Sequence, residues 1–296
     1  MRPVLVLGRS GQLAIALSHV DLGPAPVIFA GRESIDLEQL GDIERHIRAI
    51  NPGLIINAAA YTAVDKAQSE PERAIAINSE AVKAVALTAS AIGCPLIHVS
   101  TDYVFDGLGL GAYSENDPTA PQSVYGHTKR AGELAIEQSR ARHVILRTSW
   151  VFSPWGTNFV KTMLRLGNER DQIGVVADQT GRPTYAPDLA FWISAIVRKI
   201  NAGHPVWGTF HAANDGVVTW ADFAVAIFEE ASARGAKIPQ RVNRITTAEY
   251  PTPAKRPANS VLSTNKLVQA YGIELRHWRP ALAECLDEIL TAGKAA

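Results

Sequence analysis

The chain has 296 residues, room for one large α/β unit or two unequal domains of about 100 to 200 residues each. Its 47% hydrophobic and 20% charged residues exclude a disordered chain. The 29 basic and 29 acidic side chains cancel, which leaves no cationic excess for a polyanion and excludes nucleic acid as an expected partner.

The first predicted element is the strand Val4–Leu7, four apolar residues ending at Gly8. That run is too short for a signal-peptide core, and no later run is long enough to cross a bilayer, so neither export nor a membrane is expected. Gly8-Arg9-Ser10-Gly11-Gln12-Leu13-Ala14 follows and opens a helix over residues 12–19. This GxxGxxA turn departs from the GxGxxG dinucleotide fingerprint, yet its physics suits a pyrophosphate. Glycines 8 and 11 let the backbone turn sharply against phosphates at a helix N-terminus, and Ala14 permits close helix–strand packing. Gly8, Ser10, Gly11, Gln12 and Leu13 are therefore candidate cofactor contacts, with a plain strand-to-helix turn as the alternative. The strand Val27–Ala30 runs into Gly31-Arg32, where dinucleotide folds meet the adenosine ribose. Arg32 suits a 2′-phosphate and makes NADPH the expected cofactor; NADH stays as the alternative because Glu33 follows at once. Asp36 and Leu37 lie where the adenine is expected.

A helix over 43–50 leads to the strand Leu54–Asn57, which closes in Ala58-Ala59-Ala60. Three small residues at a strand's carboxyl end leave room for a ligand, or simply make a tight turn. An alanine-rich helix is predicted over 72–92, with Pro71 in its first turn, then a strand over 95–100. That strand delivers Thr101, Asp102 and Tyr103 to the same edge. Tyr125 and Lys129 stand four apart on a helix over 125–138 and so share a face. A lysine cation beside a phenol lowers the phenol's pKa and fits it to protonate a developing alkoxide; an exposed amphipathic helix start is the alternative. A strand over 143–147 completes an alternation that implies a parallel sheet with right-handed crossovers.

Beyond residue 150 the rhythm loosens. Helices are predicted over 158–166, 187–200 and 220–234, the last capped by Thr219, with a strand over 173–177 and a proline-rich loop over 250–257. The expected layout is a dinucleotide-binding domain of residues 1–150 plus about 187–205, and a substrate lobe of about 151–186 and 206–296. Cys94 and Cys285 are far apart in sequence and read as buried thiols of a cytoplasmic protein; the eight histidines show no paired-ligand spacing, so no metal site is expected.

Residues 8–14, 57–62, 100–107 and 125–129 together resemble the extended short-chain dehydrogenase/reductase family. Further segments narrow the resemblance: Val64-Asp65-Lys66-Ala67, Arg147-Thr148-Ser149-Trp150-Val151-Phe152, Asn158-Phe159-Val160-Lys161-Thr162-Met163, Asp178-Gln179-Thr180-Gly181-Arg182-Pro183-Thr184 and Arg256-Pro257-Ala258-Asn259-Ser260. With these the chain is similar to the dTDP-4-dehydrorhamnose reductases, from its first strand to about residue 290. The resemblance implies a Rossmann-type doubly wound parallel sheet with a smaller, discontinuous C-terminal substrate lobe. It also implies NAD(P)H-dependent reduction of the C4 keto group of dTDP-4-dehydro-L-rhamnose, with Thr101, Tyr125 and Lys129 catalytic. A nucleotide sugar is then the expected small-molecule partner, with Thr101, Asp102, Tyr103, Trp150, Asn158 and Arg256 on the substrate side. Each of the last three has a structural alternative: aromatic core for Trp150, helix cap for Asn158, salt bridge for Arg256.

Some members of that family bridge a dimer through magnesium held by glutamates, one of them on the first helix. Here that helix reads Gln12-Leu13-Ala14-Ile15-Ala16-Leu17, and 183–187 also lacks a glutamate. These residues speak against magnesium and for a monomer or weak homodimer. Two rival readings keep the fold: a sugar-nucleotide epimerase or dehydratase, and a non-catalytic subunit resembling the regulatory one of methionine adenosyltransferase. The dehydratase needs a basic glutamate where this chain has Tyr103.

Overall fold

A computed structural model describes residues 1–292. Its centre is a six-stranded sheet whose pairings are all parallel. The first five strands are β1 (Val4–Leu7), β2 (Val27–Ala30), β3 (Leu54–Asn57), β4 (Leu96–Thr101) and β5 (His143–Thr148). The sixth, Gly208–His211, lies on the outer edge beside β5, and the spatial order is Gly208–His211, β5, β4, β3, β1, β2. The chain thus crosses over between β1 and β3, and a crevice opens above their carboxyl ends at that reversal.

Alternation along the strands divides two cores. Val4 and Val6 of β1 face one side with Leu54 and Ile56 of β3, against α1 (Gln12–Leu17). Leu5, Leu7 and Ile55 face the other, against α2 (Leu40–Ile50) and the helical stretch between β3 and β4. That stretch is not the single helix expected. It comprises α3 (Pro71–Ile75), a π-helical turn Ala76–Glu80 and α4 (Ala81–Ala91). In the turn, Asn78 accepts from the Tyr61 backbone N–H (2.9 Å) and donates to the Tyr61 carbonyl (3.0 Å). The wider turn accommodates α5 (Val124–Gln138), whose Gly132 abuts the Asn78 carbonyl.

Downstream come α6 (Phe159–Glu169), α7 (Ala186–Asn201), α8 (Trp220–Ala233), α9 (Asn265–Tyr271) and α10 (Trp278–Ala292). The helix α7 returns to the main sheet, where Leu189, Trp192 and Ile196 join the core of α1. A third core gathers Phe152, Val160, Ile173, Phe223 and Leu282 under α6, α8 and α10, beside a parallel strand pair Gln172–Val176 and Arg241–Ile245. Thr219 caps α8 as expected, accepting from the Asp222 N–H at 3.0 Å. Two segments expected in the substrate lobe lie elsewhere. Gly208–His211 pairs with β5, and Leu267 and Tyr271 of α9 pack in the α1–α7 core, because Phe210 and these side chains complete the apolar cover of the sheet. No helix among the described residues is long and apolar enough to cross a membrane.

A Cβ added at Gly132 would stand 2.3 Å from the Asn78 carbonyl oxygen, a backbone atom that cannot swing away. Gly132→Ala is expected to cost about 1–3 kcal/mol by urea unfolding. An unchanged midpoint would show that α5 does not seat against the π turn.

Candidate active site

Above the crossover lies a cleft of about 1420 Å³, larger than the roughly 300–1,000 Å³ of a drug-sized site. One wall is the turn after β1, with Gly8, Ser10, Gly11, Gln12 and Leu13. Gly8 has φ +117°, open to glycine and strained for other residues, and its Cα faces Ala14 and the Ala58–Ala59 backbone. A Cβ at Gly11 would meet nothing within 4 Å, so backbone is presented bare to the cleft. This cradle fits a dinucleotide pyrophosphate. Arg32, Asp36 and Leu37 line the end beyond β2, and Ala58, Ala59 and Ala60 form the floor beyond β3. Arg32 is exposed, 3.6 Å from Glu38, whose carboxylate also takes Arg73 at 2.8 Å. Arg9, which the glycine pattern passed over, lies on the same rim and donates to Glu33 at 2.8 Å. Its signal was only its charge inside the turn.

Thr101, Asp102, Tyr103, Tyr125 and Lys129 meet at the other end. The end of β4 supplies the first three, and α5 the last two. Ser123 starts α5 by accepting from the Gly126 N–H at 3.1 Å. The Thr101 hydroxyl accepts from the Tyr103 N–H (3.2 Å) and donates to Asp102 (3.0 Å). The Ser260 hydroxyl donates to the other Asp102 oxygen at 2.5 Å. Asp102 is buried, and burial pushes its carboxyl up to about 6 against those hydrogen bonds.

The phenol of Tyr125 is pushed up by burial, with the Thr101 hydroxyl acting the other way, so it keeps its proton at neutral pH. Tyr103 meets it edge-on at 5.4 Å, and burial pushes the Tyr103 phenol up to about 12. The expected contact of ammonium on phenol is replaced by another. Lys129 Nζ donates to the Val99 carbonyl at 2.7 Å and meets His98 Nε2 at 3.3 Å, while burial lowers the lysine to about 8.

Trp150 lines the cleft in a left-handed conformation, φ +50°, with its ring stacked on Trp220 at 3.5 Å. Gly181 makes room for it: a Cβ there would lie 2.5 Å from the indole. Asn158 and Arg256 do not line the cleft. Asn158 caps α6 by accepting from the Lys161 N–H at 3.2 Å, and its amide donates to Gln12 at 3.0 Å. It therefore reaches the cleft through Gln12. Arg256 pairs with Asp65 at 2.6 Å. Both follow their structural alternatives. Thr148 and Ser100, also on the wall, carry buried hydroxyl oxygens without a partner. Among the described residues no three His, Cys, Asp or Glu side chains converge as a metal site.

The family described as the RmlD substrate binding domain matches residues 1–291. A dTDP-4-dehydrorhamnose reductase of Sinorhizobium fredii is 43% identical over 98% of this chain and 99% of its own. One from Escherichia coli K12 is 41% identical over 97% and 98%. The crystal structure of the Bacillus anthracis dTDP-4-dehydrorhamnose reductase in complex with NADP superposes with a TM-score of 0.90 at 33% identity, covering 97% of this chain and 99% of that one.

Burial raises the Asp102 carboxyl from 3.8 to about 6, so its contribution to stability is greatest below pH 4 and is lost as pH rises through 6. Asp102→Asn removes this dependence. The difference in melting temperature, variant minus wild type, should grow from pH 4 to about 6 and then level. A flat difference across that range would show that the carboxyl is not held protonated by burial.

Proposed function

The chain belongs to the family of the RmlD substrate binding domain, and we propose that it reduces the C4 keto group of dTDP-4-dehydro-L-rhamnose with NADPH to give dTDP-L-rhamnose. The observation that carries this reading is the convergence of Thr101, Tyr125 and Lys129 at one end of a cleft whose other end is the bare glycine turn. The cofactor, when bound, supplies hydride to the keto carbon. The chain's own residues do the rest. Tyr125 gives its phenolic proton to the oxygen as charge develops there. The Thr101 hydroxyl, placed by the Tyr103 N–H, turns its one proton from Asp102 to the same oxygen. Lys129, in its ammonium form, holds the nicotinamide ribose and stabilises the phenolate that remains.

Gly8, Ser10, Gly11, Gln12 and Leu13 hold the pyrophosphate, Arg32 the 2′-phosphate with Arg9 beside it, and the alanine floor the nicotinamide half. The sugar lies between Tyr103 and Trp150, under the lobe built on the third core. Tyr103, a phenol raised to about 12, is no base for the dehydratase reaction. An epimerase returns its hydride, so stoichiometric oxidation of NADPH separates the two chemistries. The absence of an acidic side chain from α1 favours a monomer or weak homodimer without magnesium. Two buried, unpaired thiols suit the reducing cytoplasm.

Following NADPH oxidation with the sugar nucleotide made in situ tests the reading; no oxidation by protein that binds NADPH overturns it. Tyr125→Phe should leave NADPH affinity nearly intact and lower turnover about 10²- to 10⁴-fold. Near-normal turnover would remove Tyr125 as the donor. Arg32→Ala should weaken NADPH roughly tenfold while sparing NADH, the worth of one charge-assisted hydrogen bond. Equal effects on both cofactors would end its assignment to the 2′-phosphate.

A further inference from the structure

Outside the lining of the cleft, β3 and β4 place Asn57 and His98 side by side as register partners. Both are buried, and their side chains form a short chain that ends on Lys129. Asn57 Nδ2 lies 3.1 Å from His98 Nδ1, and His98 Nε2 lies 3.3 Å from Lys129 Nζ. The amide orientation follows from a third contact. The Ala59 backbone N–H needs an acceptor and finds Asn57 Oδ1 at 3.2 Å, which turns the amide nitrogen toward the imidazole. His98 Nδ1 must then accept, so the ring proton sits on Nε2 and points at the lysine. An ammonium has no lone pair to receive it. A neutral amine does, and it still donates to the Val99 carbonyl at 2.7 Å. The chain is closed at Asn57, an amide that carries no proton onward, so it is a clamp and not a proton conduit.

We propose that His98, oriented by Asn57, is a positioning residue that disfavours the ammonium form of Lys129 until the cleft offers that ammonium a new acceptor. This rests on the reading that Lys129 belongs to the reductase's catalytic set. It places control of the lysine's charge on buried side chains of β3 and β4 that do not line the cleft. Burial acts in the same direction on Lys129, which lies at about 8, and together with the nearby lysine keeps His98 uncharged. The other charges on elements packed around the lysine are already committed. Glu133, one turn further along α5, raises the lysine but is held by Arg147 at 2.8 Å and Arg130 at 3.1 Å. Asp102 is bonded to Ser260 and Thr101, and Tyr103 and Tyr125 are neutral phenols.

The test reads the lysine directly. In full-length protein labelled with ¹³Cε-lysine, the Lys129 resonance, assigned with a Lys129→Met variant, should titrate near pH 8. His98→Gln can turn a carbonyl oxygen to Nζ and should raise that midpoint by at least one pH unit. Asn57→Asp offers only acceptors to His98 Nδ1, reverses the tautomer and should move the midpoint the same way. Midpoints unchanged in either folded variant, as judged by melting temperature, overturn the proposal. Turnover is measured on the same samples. A wild type whose lysine titrates as expected but which oxidises no NADPH would sink the reductase reading and leave the clamp standing.

Discussion

The rotation of α5 about its own axis decides whether this fold has an active site, and one buried ion pair sets that rotation. Tyr125, Lys129 and Glu133 are spaced by four residues and share a face of the helix. Glu133 is fully buried and takes the Arg147 guanidinium of β5 in a two-point contact, at 2.9 Å and 2.8 Å. Two parallel hydrogen bonds leave little freedom to turn, so the amine one turn earlier and the phenol two turns earlier are aimed at the end of β4. Burying two charges is costly, and such a pair is weak evidence of stability; its value here is orientation. Gly132 beside it lets the helix approach the π turn closely.

Burial then acts on every group of the site. It keeps the proton on Tyr125, raises Asp102, lowers Lys129 and leaves His98 neutral. In so dry a corner, hydrogen bonds replace solvent as the means of orienting each group. Thr101 is placed by Asp102 and a backbone N–H, Asp102 by Ser260 from a distant loop, and Lys129 by Val99 and His98. The far end of the cleft differs in kind. Arg9, Arg32, Glu33 and Glu38 are ion-paired in solvent on its rim, where each pair contributes little and exchanges readily for a ligand phosphate.

Strands β1 and β3 were legible to the residue, because buried parallel strands are short apolar runs bounded by turns. The edge strand β2 was legible as the same kind of run, although Val27 and Ile28 are exposed. The glycine turn and the Tyr125–Lys129 pair were legible because local spacing alone creates them. The break at Ala76–Glu80 was not: an alanine-rich segment carries no mark of a π turn, which arises from Asn78 reaching Tyr61 and Thr128. Nor was the strand Gly208–His211, four residues whose place depends on the open edge of β5. Asn158 and Arg256 show the limit for single polar residues. Each had two readings in sequence, and only the positions of Lys161, Gln12 and Asp65 chose between them.

What the sequence determined by itself is what nearest neighbours determine: the alternation of strands and helices as far as β5, the sharp turn at Gly8, and the face that Tyr125 shares with Lys129. Those depend on backbone sterics and on a helical repeat, both confined to a few residues. The tertiary structure decided what surrounds each group. It turned the Lys129 amine toward His98 instead of the phenol, stacked Trp150 on Trp220, and withdrew Arg256 into a salt bridge. Burial and hydrogen-bond partners come from segments tens to hundreds of residues away, and local pattern carries no record of them.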